Sequence, residues 1–118
     1  MIKIGQQLPY FEFLDGIKGK SLYDLKQKYH IVIYKLNSEE DFLEDMENEF
    51  ERANTKLINV VQITDKKFED RLGIKEDEDF ILIADRYGTV IYKGNKVPDF
   101  REIMNIIFFA ENEGCCPR

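Results

Sequence analysis

Two residues in this sequence carry thiols, and they are neighbours: Cys115 and Cys116, in the closing stretch EGCCPR. A thiol pair can cycle between dithiol and disulfide, exchange with a partner protein, or hold a soft metal ion. Adjacent cysteines make an awkward structural disulfide. Their α-carbons stand ~3.8 Å apart across a trans peptide, below the usual ~4.4–6.8 Å, so a bond between them is strained and easily reduced. That suits exchange with a partner better than stabilisation. Two sulfur ligands alone leave a metal site incomplete. Neighbouring Glu111 and Glu113 oppose thiolate formation while Arg118 favours it, so local charge does not select one outcome. Cys115 and Cys116 are the candidate redox residues.

The remaining reactive side chains do not assemble into a site. His30 is the lone histidine, at the start of a strand, with no cysteine or second histidine to join it. The acidic run Glu39, Glu40, Asp41, Glu44 and Asp45 reads as a solvated helix start favoured by the helix dipole. No Gly-rich turn leads from a strand to a helix with a suitable lysine, so no phosphate loop is expected. Neither a Ser-His-Asp triad nor a catalytic carboxylate pair emerges. No metal site and no cofactor is expected.

The elements that position these residues are legible from periodicity. PYFEFLDG alternates like a strand and stops at Asp15-Gly16, with a second turn at Lys18-Gly19. SLYDLKQKY reads as a short helix with Ser21 as its N-cap and Asp24 three residues on. HIVIYKL is a continuous β-branched run, as in a strand buried on both faces. NSEEDFLEDMENEFERAN places Phe42, Leu43, Met46, Phe50 and Ala53 on one helical face, with Ser38 as cap. KLINVVQIT is a further buried strand ending at Asp65, and DKKFEDRLGI a short helix that Gly73 terminates. FILIADRYGTVIYKG reads as a hairpin around a type I turn followed by a left-handed Gly88. VPDFREIMNIIFFAENEG is a last helix, capped by Asp99 and ended by Gly114, before a flexible tail over 111–118. The order β-α-β-α-β-α-β-β-α predicts one α/β domain over 1–118, with a central mixed sheet: a parallel β-α-β unit plus a C-terminal antiparallel hairpin.

That layout, with its local phrases, resembles the thioredoxin-like superfamily. IGQQLPYFEFLDGIKGKSLYDL is similar to the opening of the peroxiredoxin/alkyl hydroperoxide reductase (AhpC/TSA, redoxin) or TlpA-like branch, through Gly5, Leu8, Pro9, Phe11, Asp15, Gly19, Ser21 and Leu22. The late hairpin resembles that branch through Asp85, Gly88 and Gly94. The likeness covers roughly residues 4 to 110. It implies chemistry where the first buried strand meets its helix, at a cysteine activated by the helix N-terminus. Here that turn reads KLNSEEDF, with no cysteine, threonine or proline. Ser38 occupies the place of the nucleophile, beside Asn37 and Asp41. The branch also carries a cis-proline before the strand of the late hairpin. GIKEDEDFILI has none, and Asp79 or a neighbour stands there. A non-proline cis bond costs ~2.5–4 kcal/mol, so a trans peptide is expected. Asn37, Ser38, Asp41 and Asp79 thus outline a degenerate family site.

Two functions follow as expectations. One is a binding or accessory module on a thioredoxin-like scaffold in redox-related metabolism. The other is a thiol-disulfide carrier using Cys115 and Cys116. Residues 36–42 are expected to support neither peroxidase nor insulin-reducing activity. In the last helix Phe100, Ile103, Met104, Ile107 and Phe108 form the core arc; Ile106 and Phe109 fall outside it and mark an interface for a protein partner or a homodimer. The net charge of −6 disfavours nucleic-acid or anionic-membrane partners. No apolar run approaches the ~20 residues of a membrane span. The opening MIKIGQQLPYF lacks the apolar stretch of a secretory signal, so a cytoplasmic location is expected. Plentiful Lys and Glu with scarce Gln point to a thermophilic source.

Overall fold

The computed structural model describes residues 2–115, and the side chains of 2–111. Its central sheet is built from β3 (His30–Lys35), β4 (Thr55–Asn59), β5 (Phe80–Ala84) and β6 (Val90–Gly94), in the order β4-β3-β5-β6. The near-continuous apolar runs HIVIYK and FILIA become the two inner strands. Every residue of both except Lys35 is buried, as expected for strands covered on both faces. β3 and β4 are parallel, β5 runs antiparallel to β3, and β6 antiparallel to β5. The expected mixed sheet is therefore present.

The two-residue alternation of the inner strands divides the core. Ile31, Ile33, Leu82 and Ala84 point to one side, against Leu8, Phe11, Phe13, Leu22, Leu25, Phe68 and Leu72. Val32, Tyr34, Ile81 and Ile83 point to the other, against Leu43, Phe50, Ile103 and Ile107. Fully burying each such aliphatic or aromatic side chain contributes about 1.5–3 kcal/mol. The layers therefore hold the sheet and fix which residues emerge at its two ends.

The boundaries differ from expectation in several places. Lys18–Ser21, expected as turn and cap, forms a strand, β2, antiparallel to β1 (Glu12–Asp15). KGKS has no apolar residue to signal a strand; backbone pairing across the tight turn at Gly16 (φ +67°) makes it. This pair stands apart from the central sheet, so the first strand is not part of the parallel core. Helix α1 is a single turn, Leu22–Leu25, with the Ser21 N–H donating to Asp24 Oδ2 at 2.8 Å. The strand expected to run to Asp65 ends at Asn59, followed by a 3₁₀ turn over Val60–Gln62. Asn59 caps the change: its Oδ1 accepts from the Val61 N–H, and the Asn59 N–H donates to Gln62 Oε1.

The largest correction concerns residues 38–46. They do not form the first turns of a helix. A 3₁₀ turn spans Glu44–Met46, and α2 proper is Glu47–Arg52. Glu40–Glu44 and Asp41–Asp45 are like charges four residues apart, which disfavours a continuous helix. Leu43 and Phe50 still reach the core, while Phe42 is exposed.

Other boundaries match. α3 (Lys66–Leu72) is capped by Asp65 Oδ1 and ends at Gly73 in the left-handed region. Gly88 lies at φ +81° in the β5–β6 turn, where Asp85 Oδ1 accepts from the Tyr87 and Thr89 N–H groups. α4 (Phe100–Cys115) starts with Asp99 Oδ1 accepting from the Glu102 N–H at 2.9 Å. It runs one residue past Gly114, to Cys115. α4 thus takes up the first five residues of the expected tail over 111–118; of the thiols, the Cys115 side chain and all of Cys116 lie outside the described residues.

Candidate functional site

β3 delivers the chain to the turn Leu36–Asp41 at one end of the sheet, and β5 begins beside it. Lys35, the last residue of β3, donates from Nζ to the Lys75 and Glu76 carbonyls at 2.7 Å each, pinning the loop that leads into β5. Two residues on, the Asn37 N–H donates to Asp79 Oδ1 at 2.8 Å. The structure thus brings Asn37 and Asp79 together, as a clasp between the turn and the strand entry. All peptide bonds among the described residues are trans.

Asp41 turns elsewhere. Its Oδ2 accepts from the Tyr34 hydroxyl at 2.5 Å and from Asn59 Nδ2 at 3.4 Å, and its Oδ1 accepts from the Glu44 N–H at 2.9 Å. One carboxylate joins β3, the end of β4 and the 3₁₀ turn. Burial, then the bond to Asp41, pushes the Tyr34 hydroxyl above the ordinary tyrosine range. Ser38 is exposed, and its Oγ accepts only a local bond from the Glu40 N–H at 3.2 Å. It contacts neither clasp, and it caps no helix.

The sequence did not single out Tyr34, Asn59 or Lys35. Tyr34 carried a signal: a hydroxyl inside a run otherwise buried on both faces must find a partner. Asn59 and Gln62 carried the spacing of a cap.

A cleft of about 320 Å³ opens beside this network, lined by Asp15, Tyr34, Asp41, Glu44, Glu47 and Asn59 among others. It is acidic, with hydroxyl and amide donors but no thiol or imidazole. A second cleft of about 250 Å³ adjoins it through Asp15 and Glu47. There Asp15 Oδ2 lies 2.7 Å from Lys20 Nζ and 2.9 Å from Lys56 Nζ. Those two ammonium groups hold the Asp15 carboxyl below the usual carboxylate range. The acidic run is thus partly built into the fold, through Asp41, and partly solvated. Among the described residues no group of three or more His, Cys, Asp or Glu is placed to hold a metal ion.

The last helix presents a different surface. Ile103 and Ile107 face the sheet and are buried. Phe108, expected in the core arc, is 65% exposed. It lies about 120° round the helix from the Ile103–Ile107 line at 100° per residue, too far to reach the sheet. Phe109 is 68% exposed, while Ile106 is half-buried. Ile106 and Phe109 line one apolar groove of about 680 Å³, with Ile4, Val90, Ile91 and Ala110. The exposed aromatic pair is therefore Phe108–Phe109, with Ile106 as the groove's floor. No helix among the described residues is long and apolar enough to cross a membrane.

No family model matches the sequence, and no curated protein matches it. Solved structures do match. The reduced 2-Cys peroxiredoxin of Plasmodium vivax aligns over 96% of this chain and 99% of its own, with a TM-score of 0.76 and 13% identity. AhpC of Mycobacterium tuberculosis aligns over 98% of this chain and 97% of its own, with a TM-score of 0.69 and 10% identity. Thioredoxin peroxidase I of Plasmodium yoelii aligns over 98% of this chain and 97% of its own, with a TM-score of 0.67 and 15% identity. The class that fold and comparisons define is the thioredoxin-like α/β class. At these identities the likeness is one of fold, and function must be argued from the site.

Proposed function

We propose that this protein is a binding or accessory module on a peroxiredoxin-like scaffold, acting through a protein partner and not through thiol chemistry at the β3 turn. One observation carries this reading. Where the family resemblance places an activated cysteine, the chain has a hydrogen-bonded clasp, Asn37 to Asp79, beside the Tyr34–Asp41–Asn59 network. The side chains there serve to hold the turn. Acidic neighbours Glu39, Glu40 and Glu44 also disfavour a thiolate or other anionic intermediate at this place.

The surface that remains for recognition is the groove of Ile4, Ile106 and Phe109, on a face carrying large exposed apolar side chains. Scattered apolar residues are ordinary on a surface, whereas a contiguous patch beside a groove marks an interaction site. A second copy of this chain is the first partner to test. Phe109→Glu puts a charge in the groove's wall at an exposed position, so the fold should survive. Sedimentation of the wild type should show a mass above one chain, or a retained partner, and the variant should lose it. If Phe109→Glu changes neither mass nor partner retention, the groove is local packing.

A further inference from the structure

The opposite end of the sheet holds the chain's only histidine. His30 begins β3 with its side chain 6% exposed. By the alternation of the strand it faces the same side as Val32 and Tyr34, toward α4. Among the described residues its Nδ1 is buried with no hydrogen-bond partner. Its Nε2 stands 3.7 Å from Glu111 Oε2, near the end of α4. The other oxygen of that carboxylate, Oε1, stands 3.6 Å from Arg86 Nη2 in the β5–β6 turn. One carboxylate therefore bridges the start of β3, the far hairpin turn and the last helix. That turn is itself fixed, since the Gln27 N–H donates to the Arg86 carbonyl at 2.6 Å.

The neutral and protonated states of His30 differ sharply in this setting. A neutral imidazole leaves a bare lone pair at Nδ1. An imidazolium must place an N–H there, with no acceptor and little access to water, and burying an unpaired donor is unfavourable. The charged groups around it are Glu111 of α4 and Asp85 and Arg86 of the β5–β6 turn. Glu111 and Asp85 favour the cation and Arg86 opposes it. Burial outweighs them, so His30 takes up its proton below the usual histidine range.

We propose that His30, Glu111 and Arg86 form a proton-operated clamp, which holds the C-terminal end of α4 to the sheet when His30 is neutral and releases it when His30 is protonated. The release exposes the imidazolium to water and frees Glu111. The sign follows from linkage. The clamped state binds the proton less tightly than the released state, whose histidine titrates near ~6.5. The clamp is complete above that value and weakens as pH falls toward the lower titration of the clamped form. α4 ends at Cys115, one turn beyond Glu111, so the clamp sits at the base of the segment that carries the chain's thiols.

The test is hydrogen exchange of the α4 amides Ile106–Glu111 in the full chain, corrected for intrinsic rates, between about pH 7.5 and about pH 5, on either side of the ordinary histidine value. Each pH unit separating the two titrations multiplies the opening equilibrium tenfold, so protection should fall from the higher to the lower pH, and the size of the fall reads the separation. His30→Gln keeps an Nε donor and does not titrate; its protection should be equal at both pH values. Arg86→Gln should raise the midpoint of release and Glu111→Gln should lower it, measured also by NMR titration of the imidazole. These two variants decide the matter if His30→Gln fails to fold. Wild-type protection that is flat with pH, equal loss in His30→Gln, or midpoints that move in the same direction or not at all would overturn the clamp.

Discussion

Removing one hydroxyl from β3 should show whether the β3 turn is held by design. In Tyr34→Phe the ring stays in its buried place, in the same core layer as Leu43 and Phe50, and the bond to Asp41 is lost. That bond is short, 2.5 Å, in the range of a charge-assisted O–H···O⁻ contact. Bonds to charged groups contribute about 1.5–3 kcal/mol net. Asp41 is only partly buried and keeps its bonds from the Glu44 N–H and Asn59, so the loss should be about 1–2 kcal/mol after water replaces the phenol. For a chain of this size that lowers Tm by about 3–8 °C. Urea unfolding of the wild type, Tyr34→Phe, Asp41→Asn and the double variant closes a cycle, and the coupling should be about 1 kcal/mol. Because the Tyr34 hydroxyl is pushed above the ordinary range, its contribution is complete below the unfolded value of ~10 and fades as pH rises through the higher folded value. A single variant within about 0.3 kcal/mol of wild type, with no coupling to Asp41, would show that the network does not hold the turn.

Other outcomes follow from separate parts of the fold. Gly88→Ala should destabilise by about 1–3 kcal/mol, because Gly88 sits at φ +81°, where a Cβ strains the backbone, while the flexible end of Lys26 beside it can move aside; thermal unfolding reads it. Leu82→Ala, at a fully buried position of β5, should lose about 2–5 kcal/mol in urea. Asp15 titrates low because of Lys20 and Lys56, so the stability it adds is present above ~3.9 and is lost as pH falls through its folded value. Asp15→Asn should flatten the acid limb of stability against pH, and an unchanged limb would remove Asp15 from the account.

The sheet was legible because its inner strands announce themselves. HIVIYK and FILIA have no room for a solvent face, and the turn chemistry of Asp85 and Gly88 joins β5 to β6 unambiguously. Gly73 and Asp99 marked helix ends for equally local reasons. KGKS was hidden because its strand depends on backbone pairing with β1 and on no side-chain pattern. The helix placed over residues 38–46 failed because its apolar spacing was right but Asp41 had a stronger partner in Tyr34, a contact between β3 and the following turn that spacing cannot reveal. Phe108 was assigned to the core on a broad arc, whereas the sheet reaches only the narrower line of Ile103 and Ile107. At the candidate site, the absence of a thiol from KLNSEEDF was plain from the residues. Asp79 was expected only to stand in the place of the cis-proline; that its carboxylate accepts from the Asn37 N–H needed the three-dimensional arrangement to appear.

The measurement closest to the central claim is turnover of peroxide and of insulin disulfides by the full chain and by its Cys115→Ser/Cys116→Ser variant. If the β3 turn is a structural clasp, the thiol-free variant turns over neither substrate while retaining the wild-type fold and any partner held through Phe109. Turnover that survives the loss of both cysteines would place chemistry at the turn and contradict the account.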